Sequence, residues 1–366
     1  MTPAPGDEAR ALVASIGRWD GRPLTFMEVC GTHTMAAARA GLRSLLPPKV
    51  RLVSGPGCPV CVTPVGYVDH AIALAARPEI TLVTFGDLVR VPGSRRDLEA
   101  PAPTLARAKA RGADVRVAYS PLEALAIARA EPAREVVFLG VGFETTAPTI
   151  AAVVIAAAAE GLANVSVLGA HKTMPEAMAL LAASSELTID GFLCPGHVSI
   201  VTGPEVYAPL ADRFHKPCVI AGFEPVEILR GVDALVRQAA AGRAFVENAY
   251  PGAVRAGGNP RARAVQDEVF EPCDASWRGL GVIPGSGLAM RDRFARFDAA
   301  RRFDVRLPAP REPRGCRCGD VLRGAIDPTE CALFGTSCTP DTPDGACMVS
   351  GEGSCAARWQ NLEIGP

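Results

Sequence analysis

Glu135-Val136-Val137-Phe138-Leu139-Gly140-Val141, then Gly142-Phe143-Glu144-Thr145-Thr146, then Thr149–Glu160, is the stretch that decides the fold. The first run is rich in β-branched and large apolar residues and reads as a strand. The glycine break ends it, and an Ala-rich helix follows. That helix holds the most apolar run of the chain, Ile150 to Ala159, ten residues closed by Glu160. Ten residues fall far short of a membrane span and read as a buried helix. A strand feeding such a helix is half of a βαβ unit, so the expectation is an α/β protein with mostly parallel sheets.

The same rhythm extends both ways. Upstream, strands are expected at Thr25–Val29, Arg51–Ser54, Thr81–Thr84 and Asp114–Ala118, with helices at Met35–Leu45, Gly66–Ala76, Leu105–Arg111 and Leu122–Glu131. Downstream, strands are expected at Val165–Gly169, Gly191–Cys194 and Cys218–Ala221, with helices at Pro175–Ala183 and Pro225–Ala241. Gly142-Phe143-Glu144 is echoed by Gly222-Phe223-Glu224, and Gly57-Cys58-Pro59 by Cys194-Pro195-Gly196. The echo predicts two similar domains, 1–141 and 142–250, with strand C-terminal ends facing a shared cleft where ligands of open α/β sheets bind. Residues 251–310 are expected to connect and to pack on the α/β domains. Residues 311–366 lose the rhythm, and a segment so poor in large apolar residues needs a staple.

Charge narrows the partners. With 38 basic and 39 acidic residues, the chain carries no excess that would attract nucleic acid or an anionic membrane. The opening Met-Thr-Pro-Ala-Pro-Gly-Asp-Glu lacks a basic region followed by an apolar one, so no signal peptide is expected. A cytosolic protein follows, in which cysteines mean metal or redox chemistry.

There are 12 cysteines, and Cys316, Cys318, Cys331, Cys338, Cys347 and Cys355 fall in the C-terminal segment. Thiolates on loops with no histidine among them suit an iron–sulfur cluster or a zinc site. Zinc ribbons bring paired C-x₂-C knuckles, which this tail lacks, so a [4Fe–4S] cluster is favoured. Cys30-Gly31-Thr32-His33-Thr34 and Gly55-Pro56-Gly57-Cys58-Pro59-Val60-Cys61 form two further thiol loops. Cys30 closes a strand and is expected to be exposed at the sheet's end. Cys58 and Cys61 precede a helix whose N-terminal N–H groups favour thiolate, which suits metal binding, dithiol–disulfide cycling, or both. His33 is placed as ligand, base or loop hydrogen-bonder. Glu144, His171, Lys172, His197 and Glu224 follow strands and are weaker candidates, while Cys218 and Cys273 are assigned to packing. No phosphate loop or dinucleotide glycine motif is present.

These thiol loops, with Gly142–Pro148, Pro195-Gly196-His197-Val198 and the tail from Cys331 to Cys355, resemble the HypD family of hydrogenase maturation proteins. The resemblance implies a scaffold that assembles the Fe(CN)₂CO unit of [NiFe]-hydrogenase with a small HypC-type chaperone and a HypE-type cyanide donor. It implies Cys30 holding the iron together with the chaperone's N-terminal cysteine, His33 close by, and Cys58 and Cys61 as a redox pair. The [4Fe–4S] cluster is carried onto Cys318, Cys331, Cys338 and Cys355, with Cys316 and Cys347 as alternates. A chain monomeric outside its complex is expected. The competing classes are an iron–sulfur-dependent thiol–disulfide oxidoreductase and a docking module with structural zinc.

Overall fold

The computed structural model describes residues 5–95 and 101–362; the first residues of the leader reading and the last four of the chain lie outside that range. Eleven strands are found among the described residues. They are β1 (Leu24–Glu28), β2 (Val50–Ser54), β3 (Ile80–Thr84), β4 (Val115–Val117), β5 (Glu135–Gly140), β6 (Val165–Gly169), β7 (Gly191–Pro195), β8 (Cys218–Ala221), β9 (Val246–Asn248), β10 (Phe270–Trp277) and β11 (Gly281–Met290). Two sheets are wholly parallel, ordered β2-β1-β7-β8-β9 and β4-β3-β5-β6, and β10–β11 is an antiparallel hairpin. The α/β architecture with parallel sheets is therefore as expected.

The contiguous division at 141/142 is not how the sheets are built. The chain lays down β1 and β2, leaves to build the whole four-stranded sheet from residues 80 to 169, and returns with β7 beside β1. Cutting the chain once assumed that consecutive strands stay together, the commoner arrangement. Here β1 has a fully buried run with two edges to pair. It takes β2 on one and β7 on the other, Phe26 to Glu28 aligning with Gly191 to Leu193.

Side-chain alternation divides the apolar residues into layers. Phe26, Leu193 and Val219 face outward onto the helices Pro5–Gly17 and Pro225–Ala240. Val136, Phe138 and Val167 face outward from the second sheet onto the helix Ala147–Ala159. Their neighbours Met27, Phe192, Ile220, Leu82, Val137 and Leu139 face inward and share one continuous core with Trp277 and the cysteine lobe. The sheets are thus fixed to each other, and the lobe is seated on both.

Residues 251–310 include the helix Pro260–Val269 and the hairpin; Gly287 of the hairpin bridges to Lys172, just past β6, and Asp298, beyond the hairpin, bridges to Val167 of β6. The long helix expected at Met35–Leu45 is broken by Gly41, which adopts φ 62° between the helices Gly31–Arg39 and Leu42–Leu45. Glu28, fully buried, accepts hydrogen bonds from Arg43 and from Ser54 Oγ, both at 2.8 Å, and so ties together the ends of β1 and β2. No helix among the described residues is long and apolar enough to cross a membrane.

Candidate functional site

Four neighbouring strands of the first sheet deliver one group each from their C-terminal ends: Cys30 after β1, Cys58 after β2, His197 after β7 and Phe223 after β8. Cys30 is the residue before the helix Gly31–Arg39, with φ −149° and ψ 124°. Gly31 N–H donates to Gly57 O at 3.0 Å, locking the two thiol loops together. The fit is so close that a β-carbon at Gly57 would stand 2.2 Å from Cys30 N. Cys30 Sγ lies 3.9 Å from both ring nitrogens of His197.

Contrary to the expected exposure, Cys30 is buried, with 2% of its surface accessible. The glycine and threonines after it suggested an open loop, but they form the first turn of a packed helix. Burial pushes the Cys30 thiol up to about 12, with the Glu352 carboxylate adding to the rise and the N–H groups of His33 and Thr32 opposing it. Glu352 comes from the distant cysteine lobe and accepts a hydrogen bond from Thr32 Oγ1 at 2.7 Å.

His33 sits inside the helix and is fully buried. Its Nε2 lies 2.9 Å from Gly222 O, and because a carbonyl only accepts, Nε2 carries the proton. Burial lowers its pKa to about 4, so the ring is neutral, and Nδ1 has no partner. Both His33 and His197 pack on Phe223, with ring centroids 5.0 and 5.1 Å away. His197, read from sequence as a weak strand-end residue, is therefore brought against the Cys30 sulfur by the fold.

Cys58 and Cys61 are joined in a disulfide, with Cα atoms 5.2 Å apart. The motif itself forms a short helix, Pro59–Val62, which Cys58 caps by accepting the Cys61 N–H at 3.2 Å. Both residues are buried. Cys61 Sγ lies 3.9 Å from Ala346 O, next to Cys347. The disulfide beside the first sheet thus touches the cysteine lobe.

In the lobe, all six cysteines line one small apolar cavity with Val321, Leu333, Phe334 and Met348. Cys318 and Cys347 are paired in a second disulfide, Cα atoms 6.4 Å apart. Cys316, Cys331, Cys338 and Cys355 stay free. Burial raises Cys316 to about 11, and raises Cys338 and Cys355 also; charges on the other free thiols push the same way. The four free thiols around the cavity are thus Cys316, Cys331, Cys338 and Cys355, while Cys318 and Cys347 are paired with each other. Cys316 and Cys318 are separated by one residue. Cys318 starts the helix Cys318–Leu322 and is turned onto the Cys347 side, leaving Cys316 on the preceding loop beside Cys331. Among the described residues, no three Cys, His, Asp or Glu donors close on one point as a single ion needs.

The remaining candidates stand apart from Cys30. Glu224 caps the helix Pro225–Ala240 in a reciprocal arrangement with Glu227. Glu144 is buried, accepts Met174 N–H at 2.8 Å, and is raised to about 7 by burial. His171 and Lys172 are buried at the end of β6, with Lys172 Nζ over the Trp277 ring. Cys218 is buried in β8 and Cys273 half-buried in the hairpin. Glu352 was missed. It lies 320 positions from Thr32 in sequence, and no local feature points to that contact.

A family model described as HypD, hydrogenase formation hypA family, matches residues 7–362. The chain belongs to the HypD family. The HypD hydrogenase maturation factor of Rhizobium leguminosarum bv. viciae is 50% identical over 345 residues, 92% of this chain and 88% of its own. That of Azotobacter vinelandii is 48% identical over 362 residues, covering 97% of this chain and 94% of its own. The HypD of Escherichia coli (strain K12) is 46% identical over 346 residues, 93% and 89% of the two chains. The role of the chain is therefore in hydrogenase maturation.

Proposed function

We propose that this chain is the scaffold on which the Fe(CN)₂CO unit of [NiFe]-hydrogenase is assembled, with a HypC-type chaperone and a HypE-type cyanide donor as partners. The observation that carries the reading is Cys30 at the edge of the first sheet, 3.9 Å from His197 and hydrogen-bonded through its loop to the Cys58–Cys61 disulfide segment. A soft thiolate is the ligand that low-spin iron with cyanide and CO requires. The arriving iron displaces the Cys30 proton, and His197, neutral because burial lowers its pKa, stands 3.9 Å away as a base to receive it. His33 positions this group from behind through Phe223 and Gly222.

Four thiols standing around one apolar cavity, with no convergence on a single point, match the span of a polynuclear cluster better than that of one zinc ion. Cys316, Cys331, Cys338 and Cys355 would hold a [4Fe–4S] cluster, which supplies one-electron chemistry when bound. The residues around it store electrons in pairs. Each disulfide, Cys318–Cys347 and Cys58–Cys61, takes up two electrons and two protons to become two thiols, and the Cys61–Ala346 contact brings the pairs together. Burial of Cys58 and Cys61 weighs against a thiol–disulfide oxidoreductase, because exchange with a protein substrate needs a thiolate to reach a sulfur directly.

The test is infrared spectroscopy of the chain purified with both partners. Cyanide and CO stretches are expected in the wild type. They are lost in Cys30→Ala, while the visible iron–sulfur absorption stays. Full retention of both bands in that variant refutes the assignment.

A further inference from the structure

The tip of the β10–β11 hairpin, Arg278-Gly279-Leu280, enters the seam between the Cys58–Cys61 segment and the cysteine lobe. Gly279 has φ 78°, and a β-carbon there would stand 2.2 Å from Gly319 Cα, next to Cys318. On the other side, Arg278 N–H donates to Val62 O at 2.7 Å, and its Nε–H donates to Thr63 O at 3.0 Å. Those carbonyls close the C-terminal end of the short helix Pro59–Val62, which carries Cys61. One arginine therefore holds the first thiol motif while its own turn is wedged against the lobe.

The guanidinium is buried, with 5% of the residue accessible, and arginine goes inside almost only when its charge is paired. Here the pairing is incomplete. Nη1 donates to Glu312 Oε2 at 2.9 Å, but the Glu312 side chain is 54% exposed, so water shares that carboxylate. Nη2 is buried and has no hydrogen-bond partner among the described residues, which is costly to leave so. Glu312 lies four positions before Cys316, and the Arg278 charge reaches that sulfur. It draws the Cys316 thiol down, while burial and the neighbouring thiols Cys338 and Cys331 push it up. At Cys338 and Cys355 the carboxylates Asp344 and Asp327 push in the same direction as burial. Negative charge in this lobe is thus opposed on most sides and favoured from the Arg278 side.

We propose that Arg278 is the charge-compensating residue of the lobe, its buried guanidinium balancing the negative charge of a cluster on the free thiols and setting how readily that cluster is reduced; this rests on the cluster reading above. A [4Fe–4S] centre on four thiolates passes from two negative charges to three when it gains one electron. A fixed cation beside it stabilises the more negative form, so the potential rises; net charge and hydrogen bonding are the means by which a protein sets such potentials. Because the guanidinium is buried, salt screens it little. Its bonds to Val62 O and Thr63 O also fix the charge relative to the Cys58–Cys61 segment, so Arg278 is a positioning residue that touches neither sulfur of that pair.

The test is an equilibrium redox titration of the full-length protein, purified anaerobically and followed by the electron paramagnetic resonance signal of the reduced cluster. Arg278→Met keeps the apolar stem and removes the charge. It is expected to lower the equilibrium constant for reduction about tenfold, which is about 59 mV for a one-electron couple, and to do so at high salt as well as low. Arg278→Lys keeps the charge and is expected to stay within about threefold of wild type. Glu312→Gln removes the competing carboxylate from an exposed position and is expected to raise the constant at least twofold. A constant within twofold of wild type in Arg278→Met overturns the proposal, and so does an Arg278→Lys protein as low as Arg278→Met, since packing alone would then explain the arginine. Should Arg278→Met take up no cluster, Glu312→Gln decides: a raised constant supports the proposal, and an unchanged or lowered one overturns it. A wild-type protein without iron–sulfur absorption strikes the cluster reading itself, and this inference with it.

Discussion

Gly57→Ala puts a methyl group where two backbones already touch. The added β-carbon would lie 2.2 Å from Cys30 N, 2.4 Å from Cys30 Cα and 2.5 Å from Val29 C. None of these atoms can rotate away, so the loops must part by about 1.2 Å before the closest contact becomes ordinary. The Gly31–Gly57 hydrogen bond, 3.0 Å long, does not survive that separation. Overpacking costs about 1–3 kcal/mol and the buried hydrogen bond about 1 kcal/mol, giving about 2–4 kcal/mol. Because the damage is local, the informative assay is hydrogen–deuterium exchange of peptides spanning 28–35. Opening made easier by that amount lowers their protection about 30- to 1,000-fold. Protection over 135–140, in the other sheet, is expected to be unchanged, and Gly169→Ala, whose β-carbon meets nothing within 4 Å, serves as a neutral control. Protection at 28–35 that stays within threefold of wild type would refute the reasoning, as would a loss spread evenly over the chain.

Glu144 gives a pH signature. Burial raises its folded pKa to about 7, above the ordinary 4.5 of a glutamate, so the stability tied to its neutral form is fully present below 4.5 and is lost as pH rises through about 7. That loss amounts to about 3 kcal/mol, and Glu144→Gln, which keeps an oxygen for Met174 N–H, should gain in urea midpoint at pH 8 relative to pH 5; an equal difference at both pH values counts against it. Cys316→Ser is expected to abolish iron–sulfur absorption while Cys318→Ser retains it, and the reverse pattern would restore the sequence-based quartet. Cys30, buried and with its thiol raised by that burial, should react with maleimide at pH 8 at least tenfold more slowly in the folded protein than after urea unfolding, followed by peptide mass spectrometry; equal rates contradict the buried-thiol description.

The strands were legible because buried parallel strands are short, β-branched runs bounded by glycine or proline, and Val165–Gly169 and Cys218–Ala221 fall where their composition puts them. Which strands share a sheet was not legible, since nothing in the residues of β1 announces a partner more than 160 positions away. The same reason hid the site. Cys30 and the Cys58–Cys61 motif carry their chemistry in local sequence, but His197 and Glu352 gain meaning only from the fold that brings them to Cys30 and Thr32. Gly31 misled in a specific way. Glycine beside threonine reads as a loop, yet here it opens a helix, where the lack of a β-carbon admits Glu352, whose own Cβ would otherwise lie 2.5 Å away. Cys316 and Cys318 could not be told apart by spacing, because one helix turn decides which of them faces the free thiols.

The interleaving of the sheets has a consequence for the order in which a ribosome can complete this protein. When Cys30 and Cys61 emerge, β1 lacks β7 and the Cys30 pocket lacks His197, both supplied from residues 191 onward. The pocket also lacks Glu352, and Cys61 lacks its neighbour Ala346, until almost the entire chain has been translated. A nascent or prematurely terminated chain therefore presents thiols but no closed site. The Cys30 pocket with all its neighbours therefore exists only in molecules whose C-terminal lobe has been made and seated.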